Sequence, residues 1–276
     1  FSTWKKIQTF SSRGEASIKP WFNPDGSYRF VQINGFHLSI WNRKGAKDEY
    51  LEGLSPGFYS HSINWTPDGQ TIIYIDGGKW DVWAWNITTR ETKLLLKIPE
   101  GEWIPTVSPT VSPDGKIVAV ISKNKNHTIQ LLDLEAEGIV HILKADTGHN
   151  ASALAFNPQR QILASVDELG ENVLFWGWKV GRKIEIVSFK RGLYVYSLAW
   201  SLDGELLAIA SADGIVKISG INDPQAKPVV LKHEGHANQL AWGPDRILLI
   251  GVDNKLYAYK IPLDNAFDSK ALATAL

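Results

Sequence analysis

A five-residue phrase built around Pro-Asp-Gly recurs six times at nearly even intervals along the chain. The copies are Phe22-Asn23-Pro24-Asp25-Gly26, Trp65-Thr66-Pro67-Asp68-Gly69, Val111-Ser112-Pro113-Asp114-Gly115, Phe156-Asn157-Pro158-Gln159-Arg160, Trp200-Ser201-Leu202-Asp203-Gly204 and Trp242-Gly243-Pro244-Asp245-Arg246. Their last residues stand at 26, 69, 115, 160, 204 and 246, so successive copies are 43, 46, 45, 44 and 42 residues apart. Self-similarity at such a period indicates a repeat architecture and limits the chain to a few folds.

Each phrase predicts a turn between two β-strands. Proline presets φ near −65°, aspartate can cap the turn through its side chain, and glycine accepts a positive φ. In the fifth repeat a short apolar run, 197–200, precedes the phrase and a longer one, 206–210, follows it. A second turn then leads to a third run, and a more polar fourth run ends the repeat, as at 182–187 in the fourth copy. We therefore predict four strands per repeat, A to D.

Four short strands in about 40 to 45 residues are typical of one blade of a β-propeller. Short motifs recur at the ends of these strands: Gly148-His149 and Gly235-His236 before strand A, Ser165-Val166-Asp167 and Ser211-Ala212-Asp213 at the end of strand B, and Ile40-Trp41-Asn42, Trp85-Asn86 and Leu132-Asp133 at the end of strand C. Through these motifs the chain resembles the WD-repeat family, and its Pro-Asp-Gly turns are similar to those of TolB-like propellers. The repeats extend over residues 1 to 261.

The resemblance implies a structural hydrogen-bond network within a blade. It would run from the histidine through the strand B serine and the turn aspartate to the strand C tryptophan. The matching residues are His149, Ser165, Asp167 and Trp176. In the sixth repeat His236 and Asp253 match in part, with Tyr259 in the tryptophan's place.

The predicted fold is therefore all-β, a single six-bladed β-propeller of four-stranded antiparallel blades over residues 1–261. The sixth repeat lacks a fourth run, whereas the chain opens with a lone strand-like segment at 4–10. We expect residues 5–10 to pair with the run 256–260 and close the ring, because an open ring would expose sheet edges. Residues 262–276 are expected to form a tail or a short helix.

Composition excludes several chemistries. The chain has no cysteine, so it carries no disulfide, thiolate zinc site or cysteine nucleophile. No metal-binding or phosphate-binding motif occurs, and we expect neither metal nor cofactor. The literal G-x-S-x-G at Gly53-Leu54-Ser55-Pro56-Gly57 lies between two predicted strands with no helix after it, so it predicts a connecting loop and not a nucleophile elbow.

Charge argues against nucleic acid as the partner. Twenty-nine basic residues balance twenty-nine acidic ones, and the basic run from 179 to 191 is better explained as a solvated outer strand. No apolar run reaches the roughly 18 residues that span a bilayer. We expect a soluble, cytoplasmic protein, although a removed signal peptide would leave no trace.

Aromatic residues are the strongest indication of function. The chain has 12 tryptophans. The aromatic residues that begin five of the six phrases are expected to wedge between blades, and they are Phe22, Trp65, Phe156, Trp200 and Trp242. Other aromatic residues fall outside this period, in loops predicted to ring the mouth of the central channel. They either cover the core locally or bind a partner, and the candidate binding residues are Tyr59, His61, Trp80, Trp103, Tyr194 and Tyr196.

The predicted function is a non-catalytic scaffold that binds a protein or peptide on this loop face, alone or within a larger chain or complex. The alternative is a propeller hydrolase or lyase, or the propeller cap of a larger enzyme. That alternative requires carboxylates or histidines that converge on the channel. Glu15, Glu102, Asp76 and His127 are the candidates.

Overall fold

The computed structural model describes 17–22, 28–34, 37–42, 47–51, 63–76, 79–99, 108–122, 128–136, 138–145, 149–188, 194–222, 227–253 and 255–261. The chain divides into two compact units, Phe1–Lys97 and Ile98–Leu276. Each unit is built from antiparallel sheets whose strands follow one another in chain order.

The first unit contains two four-stranded sheets. Sheet 1 consists of β1 (Ser17–Phe22), β2 (Tyr28–Asn34), β3 (His37–Asn42) and β4 (Lys47–Leu51). Sheet 2 consists of β5 (Ile63–Trp65), β6 (Thr71–Ile75), β7 (Val82–Asn86) and β8 (Thr92–Leu96).

The second unit contains four sheets. Sheet 3 consists of β9 (Thr110–Val111), β10 (Ile117–Ser122), β11 (Thr128–Asp133) and β12 (Gly138–Lys144). Sheet 4 consists of β13 (Ala151–Phe156), β14 (Ile162–Asp167), β15 (Asn172–Gly177) and β16 (Arg182–Ser188). Sheet 5 consists of β17 (Val195–Trp200), β18 (Leu206–Ser211), β19 (Ile215–Gly220) and β20 (Val229–Lys232). Sheet 6 has three strands in the described residues, β21 (Ala237–Trp242), β22 (Ile247–Val252) and β23 (Lys255–Lys260), with a 3-10 turn at Pro244–Arg246.

In the described residues, the five phrases at 65–69, 111–115, 156–160, 200–204 and 242–246 form the predicted turns between strands A and B. Gly69 adopts φ 64°, in the region that glycine enters without steric cost. The residue before the proline adds two hydrogen bonds that the sequence analysis did not predict. The Thr66 hydroxyl donates to Asp68 Oδ1 at 2.6 Å and accepts the Thr71 N–H at 3.0 Å. The same hydroxyl bonds recur at Ser112 in sheet 3 and at Ser201 in sheet 5.

The core of the second unit lies between neighbouring sheets. Aromatic residues that end strand A pack there as expected, and Trp200 lies 5.9 Å from Phe175 of sheet 4, measured between ring centroids. The Trp200 indole also donates to the Ala155 carbonyl at 3.1 Å, and the Trp242 indole donates to the Ala199 carbonyl at the same distance. Each of these residues therefore links its strand A to the strand A of the preceding sheet.

The all-β prediction and the four-stranded repeat are confirmed in sheets 1 to 5. The segment 5–10, expected to complete sheet 6, and the tail 262–276 lie outside the described residues. Closure of the ring, the count of six blades and a single domain over 1–261 remain predictions.

Candidate functional site

The inner strands of sheets 4, 5 and 6 share a β-bulge at the same repeat position. In β17 the pairing passes from Val195 with Ser211 to Ser197 with Ala210, so Tyr196 has no direct partner. Ser152 in β13 and Asn238 in β21 are skipped in the same way. A bulge re-aims the side chain of the extra residue. The residue at this position therefore varies from sheet to sheet without disturbing the ladder.

Tyr196 belongs to an exposed group of aromatic rings at the edge where strand A begins. Tyr194 and Tyr196 are 48% and 47% exposed, and their ring centroids lie 6.0 Å apart. The His236 ring of sheet 6 meets Tyr196 edge-on, with centroids 6.4 Å apart and an interplanar angle of 88°. We call Tyr194, Tyr196 and His236 the aromatic cluster. Tyr196 lies within strand A, whereas the sequence predicted it in the preceding loop.

The loop between sheets 5 and 6 holds His236 in place. Its Nδ1 lies 2.5 Å from the Ala212 carbonyl oxygen, and its backbone N–H donates to Asp253 Oδ1 at 3.1 Å. Gly235 has φ 107°, and a Cβ there would approach Asp253 Oδ2 to 2.0 Å. Glycine is therefore required at this position for the histidine loop to lie against the turn of sheet 6.

Tyr259 occupies the tryptophan's place in the sixth repeat, and its hydroxyl forms a hydrogen bond with His233 Nε2 at 3.0 Å. His233 Nδ1 lies 3.1 Å from the Gly214 carbonyl oxygen. Burial, with a smaller contribution from the neighbouring Tyr257, raises the pKa of Tyr259 above its ordinary value. The imidazole that contacts Tyr259 therefore belongs to His233, which follows the last strand of sheet 5. The role of His236 in a network of the sixth repeat stays a prediction.

Trp176 and Ser165, two members of the network proposed for sheet 4, are hydrogen-bonded to each other. Trp176 Nε1 donates to Ser165 Oγ at 2.9 Å, and both side chains are buried. The Asp167 carboxylate accepts bonds from the Asn172 amide at 2.7 Å and from the Glu171 backbone N–H at 2.9 Å. The role of His149 in this network stays a prediction.

Trp80 lies in the turn between strands B and C of sheet 2. It is partly buried and has φ 64°, a left-handed conformation that is unusual for a bulky side chain. Its backbone N–H donates to the Asp76 carbonyl at 3.0 Å, and Asp76 Oδ1 accepts the Lys79 N–H at 2.8 Å. Asp76 is therefore engaged in shaping this turn.

Several predicted residues lie outside the described part of the chain. These are the candidate binding residues Tyr59, His61 and Trp103, the connecting loop Gly53-Leu54-Ser55-Pro56-Gly57, and the carboxylate and histidine candidates Glu15, Glu102 and His127. Within the described residues, no three histidine, aspartate or glutamate side chains group as metal ligands would. No helix in the same residues is long and apolar enough to span a membrane.

Sequence reasoning missed the contribution of His236 to the aromatic cluster. The Gly-His motif was a visible signal, but the resemblance assigned it to a structural network inside one blade. The bulge at Tyr196 had no sequence signal, because the residues at the three equivalent positions are serine, tyrosine and asparagine.

Comparisons with known proteins agree with this architecture. The sequence model of the anaphase-promoting complex subunit 4 WD40 domain matches residues 154–245. The small ribosomal subunit protein RACK1 of Medicago sativa is 34% identical over 128 residues, which are 40% of this chain and 38% of RACK1. A chain in the crystal structure of the mitotic checkpoint complex superposes with a TM-score of 0.63 at 19% identity, over 72% of this chain and 60% of that chain.

Repeated four-stranded antiparallel sheets with wedging aromatic residues define a protein of the β-propeller class. The sequence matches and the WD-like motifs place it more narrowly: over the residues that these matches cover, the chain is similar to WD-repeat proteins. It spans about two fifths of the length of the curated relative it matches.

Proposed function

We propose that the chain is a non-catalytic scaffold that binds a protein or peptide on the face carrying the D–A loops and B–C turns. The observation that carries the proposal is the aromatic cluster, in which two half-exposed tyrosines and a fixed histidine bridge sheets 5 and 6. Rigid aromatic side chains give large contact area at low entropic cost, which is typical of binding hot spots.

The surroundings of the cluster favour recognition over chemistry. Asp213, Glu234 and Asp253 are exposed near it, but the Asp213 carboxylate is engaged by the Ser211 hydroxyl and the Ile215 N–H. Asp253 is engaged by the backbone of His236. The Asp213 and Asp253 carboxylates hold loops in place. Polar groups around an apolar centre are the usual rim of a protein interface.

The similar proteins support a role in assemblies. Their names refer to the anaphase-promoting complex, the small ribosomal subunit and the mitotic checkpoint complex. From these proteins we extend to this chain only the general property of binding other proteins. We further propose that it acts in the cytoplasm and has no catalytic role of its own.

The proposed scaffold is a closed ring of six blades over residues 1–261. β23 is an end strand in the described residues, and Leu256 on it is exposed. Residues 5–10 would supply the fourth strand of the sixth blade. A closed ring would give the binding face a fixed shape, and Trp80, Tyr59, His61 and Trp103 would join its rim.

The test is a paired measurement on Tyr194→Ala/Tyr196→Ala, using affinity for a partner captured with the intact protein. We expect the double variant to weaken binding by about thirtyfold or more, since a hot-spot aromatic is worth at least about 2 kcal/mol. Its melting temperature should stay nearly unchanged, because both rings are half exposed.

Leu202→Ala is the matched control. Leu202 is an exposed apolar residue of the same sheet, but it lies in the A–B turn at the opposite edge. Its truncation should leave affinity within about twofold of the intact protein. If both variants lose the same affinity, or if the tyrosine variant unfolds, the aromatic cluster is not the binding site.

A further inference from the structure

Exposed apolar side chains concentrate on the outer strands of sheets 3 and 4. Ten large apolar side chains are exposed in the described part of the chain, and five of them lie here. They are Ile139, Val140 and Ile142 of β12, Val180 of the hairpin that joins β15 to β16, and Ile184 of β16. Val180 and Ile184 are the most exposed of the five, at 62% and 56%. Exposed apolar side chains that gather in one region of a folded protein favour an interaction site there.

A contact between the two sheets fixes this surface. His141 in the middle of β12 places its Nε2 3.2 Å from the Lys179 carbonyl oxygen. Gly181 has φ 66°, and a Cβ there would come within 2.3 Å of His141 Nδ1. The tip of the hairpin therefore lies directly against β12.

Basic side chains flank the apolar ones. Lys179, Arg182 and Lys183 are exposed on the hairpin. The run from 179 to 191 holds five basic residues and one acidic residue in a chain whose formal net charge is zero. Lys179 Nζ lies 5.3 Å from the centroid of the Trp178 ring. Among the residues whose side chains the structure describes, no carboxylate forms an ion pair with these three cations. We call these three residues and the five apolar ones the outer ridge.

Edge-strand geometry indicates how the outer ridge would be recognised. β12 and β16 are both end strands of their sheets. The pairing of β12 shifts register opposite Leu131/Leu132 of β11, and the pairing of β16 shifts register opposite Phe175/Trp176 of β15. Bulges in an edge strand oppose the addition of another strand. The ridge is therefore suited to recognition through side chains and not to extension of the sheet.

We propose that the outer ridge is a second binding surface, which takes an acidic segment of a partner protein in which leucine or isoleucine side chains alternate with glutamate or aspartate. Carboxylates would pair with the three cations while the apolar side chains cover Val180 and Ile184. Nucleic acid fits the ridge less well, because its single strands bind by stacking on aromatic side chains and the exposed apolar residues here are aliphatic. The surface is separate from the aromatic cluster.

The experiment uses the full chain and a fluorescein-labelled peptide of twelve residues that alternates glutamate with leucine and isoleucine. We expect saturable binding that weakens as salt is raised. A peptide with glutamine for glutamate, and one with serine for the apolar residues, should each bind at least about tenfold more weakly, since both contributions are required.

Two variants locate the binding on the ridge. Lys179→Glu/Lys183→Glu should weaken binding of the acidic peptide at least about tenfold, and Val180→Ser/Ile184→Ser should do the same without a change of charge. Lys97→Glu/Lys227→Glu alters two exposed lysines elsewhere by the same total charge and should stay within about twofold. Melting curves confirm that each variant is folded.

The proposal is wrong if the acidic peptide does not bind, or if the Lys97/Lys227 control loses as much affinity as the ridge variant. It is also wrong if a twenty-residue oligothymidylate binds more tightly than the peptide and is indifferent to Val180→Ser/Ile184→Ser, which would make the ridge a polyanion site. None of these outcomes depends on the aromatic cluster.

Discussion

Two buried tryptophans at one repeat position show how a single neighbouring residue decides whether a polar group is satisfied. Trp176 pairs across the sheet with Leu163, and Trp85 pairs with Ile72 in the equivalent register. Trp176 donates to Ser165, whereas the Trp85 indole N–H has no hydrogen-bond partner among the described residues.

The difference between them lies in strand B. In the register of sheet 2, Tyr74 stands where Ser165 stands in sheet 4. Burial, and to a smaller degree the charge of Asp76, raises the pKa of Tyr74 above its ordinary value. Sheet 4 therefore has the Trp176 to Ser165 hydrogen bond that the motif implies. Sheet 2 has Tyr74 in place of the serine, and the Trp85 indole N–H has no partner among the described residues.

Ser165→Ala should destabilise the protein by about 1 to 3 kcal/mol, because it leaves the buried Trp176 N–H without its acceptor. The measurement is the free energy of unfolding in denaturant. Ser219→Ala is the matched control: the Ser219 hydroxyl is buried and has no partner in the described residues, so its removal should be neutral or slightly stabilising. If the two variants lose the same free energy of unfolding, the Trp176 to Ser165 hydrogen bond does not stabilise the protein.

At the scale of the elements, departures from the repeat phrase have a packing role. Arg160 and Arg246 stand where glycine ends the other copies, and both reach the A–B turn of sheet 5. Arg160 Nη2 donates to Glu205 Oε1 at 2.7 Å, and Arg246 Nε donates to Asp203 Oδ2 at 2.7 Å. Partial burial pushes the pKa of Asp203 upward, but hydrogen bonds from Ser201, the Glu205 N–H and Arg246 outweigh it and hold the pKa below its ordinary value.

These two arginine–carboxylate pairs show why the repeat phrase predicted the turns but not the contacts between neighbouring turns. The chemistry of the turn is local, since proline, aspartate and glycine act within five residues. The arginine bridges join residues 43 and 45 positions apart, and a single sequence does not show which sheets lie side by side. The positions of the strands were therefore predictable, whereas the polar contacts between sheets were not.

Trp200 tests the wedge between sheets 4 and 5. Trp200→Ala should cost about 3 to 5 kcal/mol of unfolding free energy, because it removes a large buried side chain from the core that the two sheets share. Trp200→Phe keeps a ring beside Phe175 but removes the donor to the Ala155 carbonyl, and it should cost distinctly less than the alanine variant. Equal losses in the two variants would mean that the indole hydrogen bond, and not the packing, stabilises the wedge.

For the whole molecule, the even spacing of the phrases predicted the class of fold, because only stacked supersecondary units give such a period. The candidate site was less predictable. Tyr194 and Tyr196 were found as aromatic residues that break the period, but their meeting with His236 depends on a bulge and on the approach of sheet 6. The outer ridge was visible only as a basic run, because exposure of its apolar residues follows from the edge position of their strands.

Ring closure is the prediction that concerns the whole molecule. β23 is an end strand in the described residues, and we propose that residues 5–10 pair with it. Deletion of residues 1–12 would then remove the ladder partner of β23 and expose a sheet edge. A loss of only about 2 kcal/mol should lower the melting temperature of a domain of this size by roughly 4 to 8 °C and increase aggregation. Deletion of 263–276 is the control and should change neither property, because that tail has no part in the proposed ring. If the chain without residues 1–12 melts like the intact protein while the tail deletion also has no effect, the first strand does not close the ring.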